Sequence, residues 1–128
     1  MAAVTAGRNT VEVRDGKTLV LPVKAKTVIY EGSLVAIGSD GYAIPAKKAE
    51  NLLVAGRAEE MIEAGETDAT IKVRRGCFKW DNSGVTGKDI LKKAYIVDAT
   101  TVTTTPTGSS AVGTIIAVDD DGVVVETL

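Results

Sequence analysis

Gly32-Ser33-Leu34-Val35-Ala36-Ile37-Gly38-Ser39-Asp40-Gly41-Tyr42-Ala43-Ile44 reads as two strands around a turn: an aliphatic run stops at Asp40-Gly41, a hairpin signal, and apolar residues resume after it. The same phrase returns as Gly113-Thr114-Ile115-Ile116-Ala117-Val118-Asp119-Asp120-Asp121-Gly122-Val123-Val124-Val125. Both run through Gly, Ser or Thr, four aliphatics, variable residues, Asp-Gly and a mostly apolar end. Two copies do not make a solenoid. Either one hairpin is used twice, in related positions of a pseudo-symmetric barrel or sandwich, or two hairpins are alike by chance.

Outward from these phrases the chain keeps to short strands. Val11-Glu12-Val13-Arg14 alternates, Asp15-Gly16 is a third hairpin signal, and Thr18 to Val23 resumes, with Pro22 marking an edge or an end. Residues 46–64 hold good helix formers, but Gly56 interrupts them and Leu52-Leu53-Val54-Ala55 reads as a buried strand, so a strand over 52–59 is expected after a loop. Ile71 and Val73 are apolar at odd positions, Phe78 and Trp80 at even ones, and a bulge at Arg75-Gly76 accounts for the change. Thr86 and Asp89 form a variant capping box, giving one or two helical turns over Thr86–Lys92. Ala94 to Asp98 returns to a strand, and the Thr-, Ser-, Pro- and Gly-rich residues 99–112 read as an exposed edge strand plus loop.

Composition agrees. The 128 residues suit one domain, and 17 Val and 15 Thr against one Phe and one Trp favour pleated, half-buried surfaces over helices. The expected fold is all-β: a small antiparallel β-barrel or β-sandwich of six to ten strands with at most one short helix. Residues 1–10 lack a period and form an extended N-terminal arm, and residues 11–128 form the domain.

A net charge of −2 argues against nucleic-acid binding, which calls for a basic stripe. One cysteine, Cys77, rules out an intrachain disulfide and favours a reducing compartment. The first ten residues do not read as a signal peptide, no apolar run reaches the roughly 20 residues of a membrane span, and a protein made and used in a cytoplasm, or released by lysis, is expected.

Catalytic constellations are sparse. Histidine is absent, which removes Ser-His-Asp and Cys-His arrangements and a His-ligated metal. Cys77, a candidate nucleophile beside Arg74, Arg75 and Lys79, has no base and reads better as a small core or near-core residue. Gly84 to Asp89 departs from a phosphate-binding loop in glycine spacing and in lacking Ser or Thr after the Lys. Asp119-Asp120-Asp121 lacks the distal ligands of a calcium loop and reads as a charged hairpin turn. Trp80 and Tyr30 read as core anchors. The expectation is a non-enzyme with no cofactor and no metal.

Several phrases together carry a resemblance: Thr5-Ala6-Gly7-Arg8-Asn9-Thr10, Leu19-Val20-Leu21-Pro22-Val23, Ile29-Tyr30-Glu31-Gly32-Ser33-Leu34-Val35-Ala36, Gly56-Arg57-Ala58-Glu59-Glu60, Val73-Arg74-Arg75-Gly76-Cys77-Phe78-Lys79, Tyr95-Ile96-Val97-Asp98 and the closing hairpin. Over nearly its whole length the chain resembles the small protein encoded beside the major capsid protein in Mu-like tailed phages and prophages. It is similar to the capsid cement, or head decoration, proteins of tailed phages. It departs from them at Cys77, where an aliphatic is expected, and in the Lys-rich residues 87–93.

The resemblance implies a β-barrel or β-tulip domain on the exterior of a mature capsid, made in the host cytoplasm and bracing the shell. It implies the major capsid protein as partner, and a homo-oligomer, a trimer or else a dimer, with no membrane and no direct nucleic-acid contact. The expected interface residues are Val4, Thr5, Arg8, Asn9 and Thr10 of the arm and Thr101, Thr103 and Thr105 of the presumed edge strand. Two other readings compete. A carbohydrate-binding or adhesion module requires Trp80, Tyr42 and Tyr95 on one exposed face, and a Cys77 enzyme requires a base.

Overall fold

The computed structural model describes residues 6–11 and 13–128. Among them are twelve strands and one 3-10 turn, Gly87–Asp89. The strands are β1 (Thr18–Val23), β2 (Val28–Ile29), β3 (Leu34–Ile37), β4 (Ala43–Pro45), β5 (Leu53–Ala58), β6 (Ile62–Glu63), β7 (Ala69–Arg74), β8 (Gly76–Asn82), β9 (Lys93–Ile96), β10 (Thr101–Thr103), β11 (Ala111–Asp119) and β12 (Gly122–Thr127). The fold is all-β, but the strand number exceeds the six to ten expected, because several runs of two or three residues pair separately.

An open antiparallel sheet has the order β1-β7-β5-β3-β4, and β2 pairs with β6. The other five strands close into a barrel, β10-β8-β12-β11-β9. The barrel is not wholly antiparallel: β8 and β10 run parallel, with Thr101 opposite Asp81.

β1 keeps the alternation its sequence promises, and Pro22 sits on an edge strand, where a missing N–H breaks no ladder. The hairpin expected around Asp15-Gly16 does not form. Val11, Val13 and Arg14 lie outside any strand, Glu12 is outside the described residues, and β1 pairs with β7. That pairing sets Leu19 opposite Val73 and Leu21 opposite Ile71, two fully buried residues, whereas Val11 and Val13 remain exposed. The strand expected over 52–59 is β5.

The parity change at Arg75-Gly76 is real, but its cause is not a bulge within one strand. β7 ends in the sheet and β8 begins in the barrel, and Gly76 turns between them at φ 145°, where a side chain is strained. Phe78 and Trp80 thereby face inward while Cys77 and Lys79 face out. The expected helix over Thr86–Lys92 shrinks to a single 3-10 turn, with the Asp89 carboxylate accepting both the Thr86 N–H and the Thr86 hydroxyl.

Both repeated hairpins form, but not in related positions. β3–β4 lies at one end of the open sheet, while β11–β12 lies within the barrel with a register shift between Ile115 and Ala117. Gly41 supplies the left-handed turn residue, φ 83°, in the first hairpin. In the second, the turn is Asp120-Asp121 and Gly122 already belongs to β12.

Two apolar clusters result. One fills the barrel and reaches the sheet, with Trp80, Ile96, Val102, Ile115, Val123 and Val125 against Leu34 and Ala36. The other lies on the far side of the sheet, with Val23, Ile29, Val35, Ala43, Ile71 and Val73. Successive residues of β3 thus feed different cores, as a strand covered on both faces must.

Candidate interaction surface

Residues 6–11 are exposed and in no strand, and the chain enters edge strand β1 at Thr18. Arg8, Asn9 and Thr10 are exposed, and their side chains make no hydrogen bond or ion pair among the described residues. Val4 and Thr5 lie outside the described residues. β4 is the sheet's other edge.

The Thr-rich segment corrects the sequence reading. β10 is not an edge strand: it lies between β8 and β9, with Val102 opposite Asn82 on one side and Ile96 on the other. Val102 is fully buried in the barrel core, which draws the strand into the closed ring. Thr101 and Thr103 are half-buried, and only Thr105 is exposed. Thr103 and Thr105 share a cleft of about 260 Å³ with Lys48, Ser83, Ile96 and Val97. The structure therefore brings Thr103 and Thr105 together in one cleft, with Thr101 two residues before Thr103 on β10, and none of the three lies at an open sheet edge.

The tight loops are held by carboxylates. The Asp89 carboxylate accepts the Thr86 N–H at 2.9 Å, and Asp98 accepts the Thr100 N–H at 2.9 Å. These bonds, first among the causes, hold both groups below the usual carboxylate range. At the second hairpin, Lys79 lies 2.9 Å from both Asp119 and Asp121, which raises its pKa and lowers that of Asp121.

Cys77 is an exposed residue of β8, not a core one, because the change of parity turns it outward; its sulfur lies 4.0 Å from Glu126 Oε2. Trp80 is an anchor of the barrel, 5% exposed, so the shared exposed aromatic face required for a glycan platform does not form. Tyr30, expected in the core, is exposed. Gly84 to Asp89 folds as a turn closed by Asn82, whose side chain brackets the Val85 backbone.

Two features lay outside the sequence reading. Ile90 and Leu91 are exposed beside the bulged Ile116, with the Leu91 N–H donating to the Ile115 carbonyl at 2.7 Å. Two aliphatics between Asp89 and Lys92 in a segment without period were the available signal. Arg57 lies over the Phe78 ring, 4.3 Å from its centroid, a pairing that no local pattern announces.

Comparison with known proteins finds no matching family model, curated protein or solved structure.

Proposed function

We propose that this chain is a structural virion protein that binds the outer surface of a phage capsid and stabilises it. The observation that carries the reading is the exposed N-terminal segment running into an open sheet edge, in a chain whose phrases resemble head decoration proteins. The major capsid protein is the proposed partner. An extended arm gains main-chain hydrogen bonds by adding to a strand edge, and Arg8 offers five donors to a surface carboxylate. Ordering costs about 1–2 kcal/mol per residue, so the arm must gain contacts along most of its length.

Trimers at local three-fold positions are the proposed assembly, with dimers at two-fold positions next. This rests on the resemblance, since β10 has no open edge to offer a second subunit.

Co-sedimentation with purified heads tests the reading. The full chain should pellet with expanded heads and stay in the supernatant alone. Deleting residues 2–9 should leave the melting temperature nearly unchanged and weaken head binding about tenfold or more, equivalent to about 1.4 kcal/mol. Equal decoration by the truncated chain would move the anchor to the folded domain, and no decoration by the full chain would end the capsid reading.

A further inference from the structure

A basic corner is built where the chain leaves the sheet for the barrel. Arg74 ends β7 directly opposite Arg57 of β5. Residues opposed across antiparallel strands point to one face, so two guanidinium groups share a side of the sheet, an arrangement that costs stability. Arg75 follows, half-buried, its main-chain N–H donating to the Lys17 carbonyl at 2.7 Å. Lys17, Arg74 and Arg75 line one cleft of about 350 Å³ together with Phe78.

Carboxylates stand near this corner, but among the described residues none closes an ion pair with its three cations. Arg57 is fixed between the Phe78 ring and Glu59, 2.6 Å away. Lys17, Arg74 and Arg75 make no ion pair within 4.0 Å among the described residues. Asp15 senses the Arg74 charge, yet its carboxylate is engaged by the Lys17 N–H at 2.8 Å. Glu126 lines the cleft without reaching ion-pair distance.

We infer that this corner is a docking surface for an acidic segment of a protein partner, with the Arg74 and Arg75 side chains taking carboxylates. Guanidinium forks suit carboxylates in bidentate geometry. A polynucleotide fits less well: it needs an extended basic track with free aromatic platforms, and here the cations occupy one corner and Arg57 already covers Phe78. The inference is independent of the capsid reading, because its test uses no capsid.

Fluorescence anisotropy with a labelled peptide of about eight glutamates, in about 20 mM salt where surface charge is little screened, tests the site. The full chain should bind the peptide, and Arg74→Gln/Arg75→Gln should weaken binding about tenfold. Lys47→Gln/Lys88→Gln, the same charge change at two exposed lysines outside the corner, should change it less than about twofold. The arginine variant should melt no lower than the parent, since it removes a like-charge pair; should it fail to fold, Arg75→Gln alone carries the comparison. Absence of peptide binding, equal loss in both double variants, or tighter binding of a labelled oligothymidylate than of the peptide overturns the inference.

Discussion

Gly122 has no room for a side chain. A Cβ there would stand 2.6 Å from the Trp80 carbonyl oxygen and 2.7 Å from Lys79 Cγ. Moving Lys79 Cγ aside means turning the whole side chain away from Asp119 and Asp121, and the Trp80 carbonyl belongs to a barrel strand whose displacement disturbs the ladder between β8 and β12. Gly122→Ala should therefore cost about 1–3 kcal/mol, the range of overpacking. Urea unfolding should show a lower midpoint at unchanged slope; an unaltered midpoint would mean that the strands separate freely at this point. Cys77 gives the opposite case. Its side chain is exposed, so Cys77→Ala should shift stability by no more than about 0.5 kcal/mol and leave head binding intact. Loss of a measurable activity in the folded variant would instead give the thiol a chemical role.

At the scale of elements, Asp68 is a knot between loops. It accepts the Ala25 N–H at 2.9 Å and the Tyr42 hydroxyl at 2.9 Å, tying the β1–β2 connection to the tip of the β3–β4 hairpin just before β7. The Ala25 bond, then the Tyr42 bond, holds Asp68 below its ordinary range, and the bond to Asp68 raises the Tyr42 phenol. The signs differ. Asp68 contributes stability above its unfolded value of about 3.9 and loses it as pH falls through the lower folded value. Tyr42 contributes below about 10 and loses it as pH rises through the higher folded value. The melting temperature should hence be level through neutral pH and fall at both extremes, with Asp89, Asp98 and Asp121 adding to the acid side. Asp68→Asn should lower the plateau and make both falls shallower. An unchanged pH profile in that variant would show that the knot carries no linkage.

β3 and β5 serve two cores, so the open sheet and the barrel are expected to unfold as one unit. Leu34 and Ala36 belong to the barrel cluster, Val35 to the other, and β5 likewise sends Val54 one way and Ala55 the other. Neither cluster can open without exposing a face of these strands. Ile71 is fully buried in the cluster away from the barrel, and Trp80 stands inside the barrel as the sole tryptophan. Ile71→Ala should cost about 2–5 kcal/mol, and Trp80 fluorescence should report the full shift in one transition shared with circular dichroism. A Trp80 transition that stays in place while the dichroism moves would divide the fold into two units.

Local chemistry determined much of this protein. The Val and Thr enrichment, the Asp-Gly turn at 40–41, the capping box at Thr86–Asp89 and the parity change at Arg75-Gly76 each act over a few residues, and each was legible in the sequence. Residues 6–10 are exposed and in no strand, as a stretch with no period to bury would be. Tertiary structure decided which strand pairs with which. Asp15-Gly16 is as good a turn signal as Asp40-Gly41, yet β1 joins β7 because Ile71 and Val73 offer it an apolar face that Val11 and Val13 do not. The Thr-rich strand carries no mark of its partners, and burial of Val102 closes it into the barrel. The basic corner was hidden for the same reason: Arg57 and Arg74 become neighbours only through a register set across the sheet, where the energy lies in burying whole faces and not in any single stretch of chain.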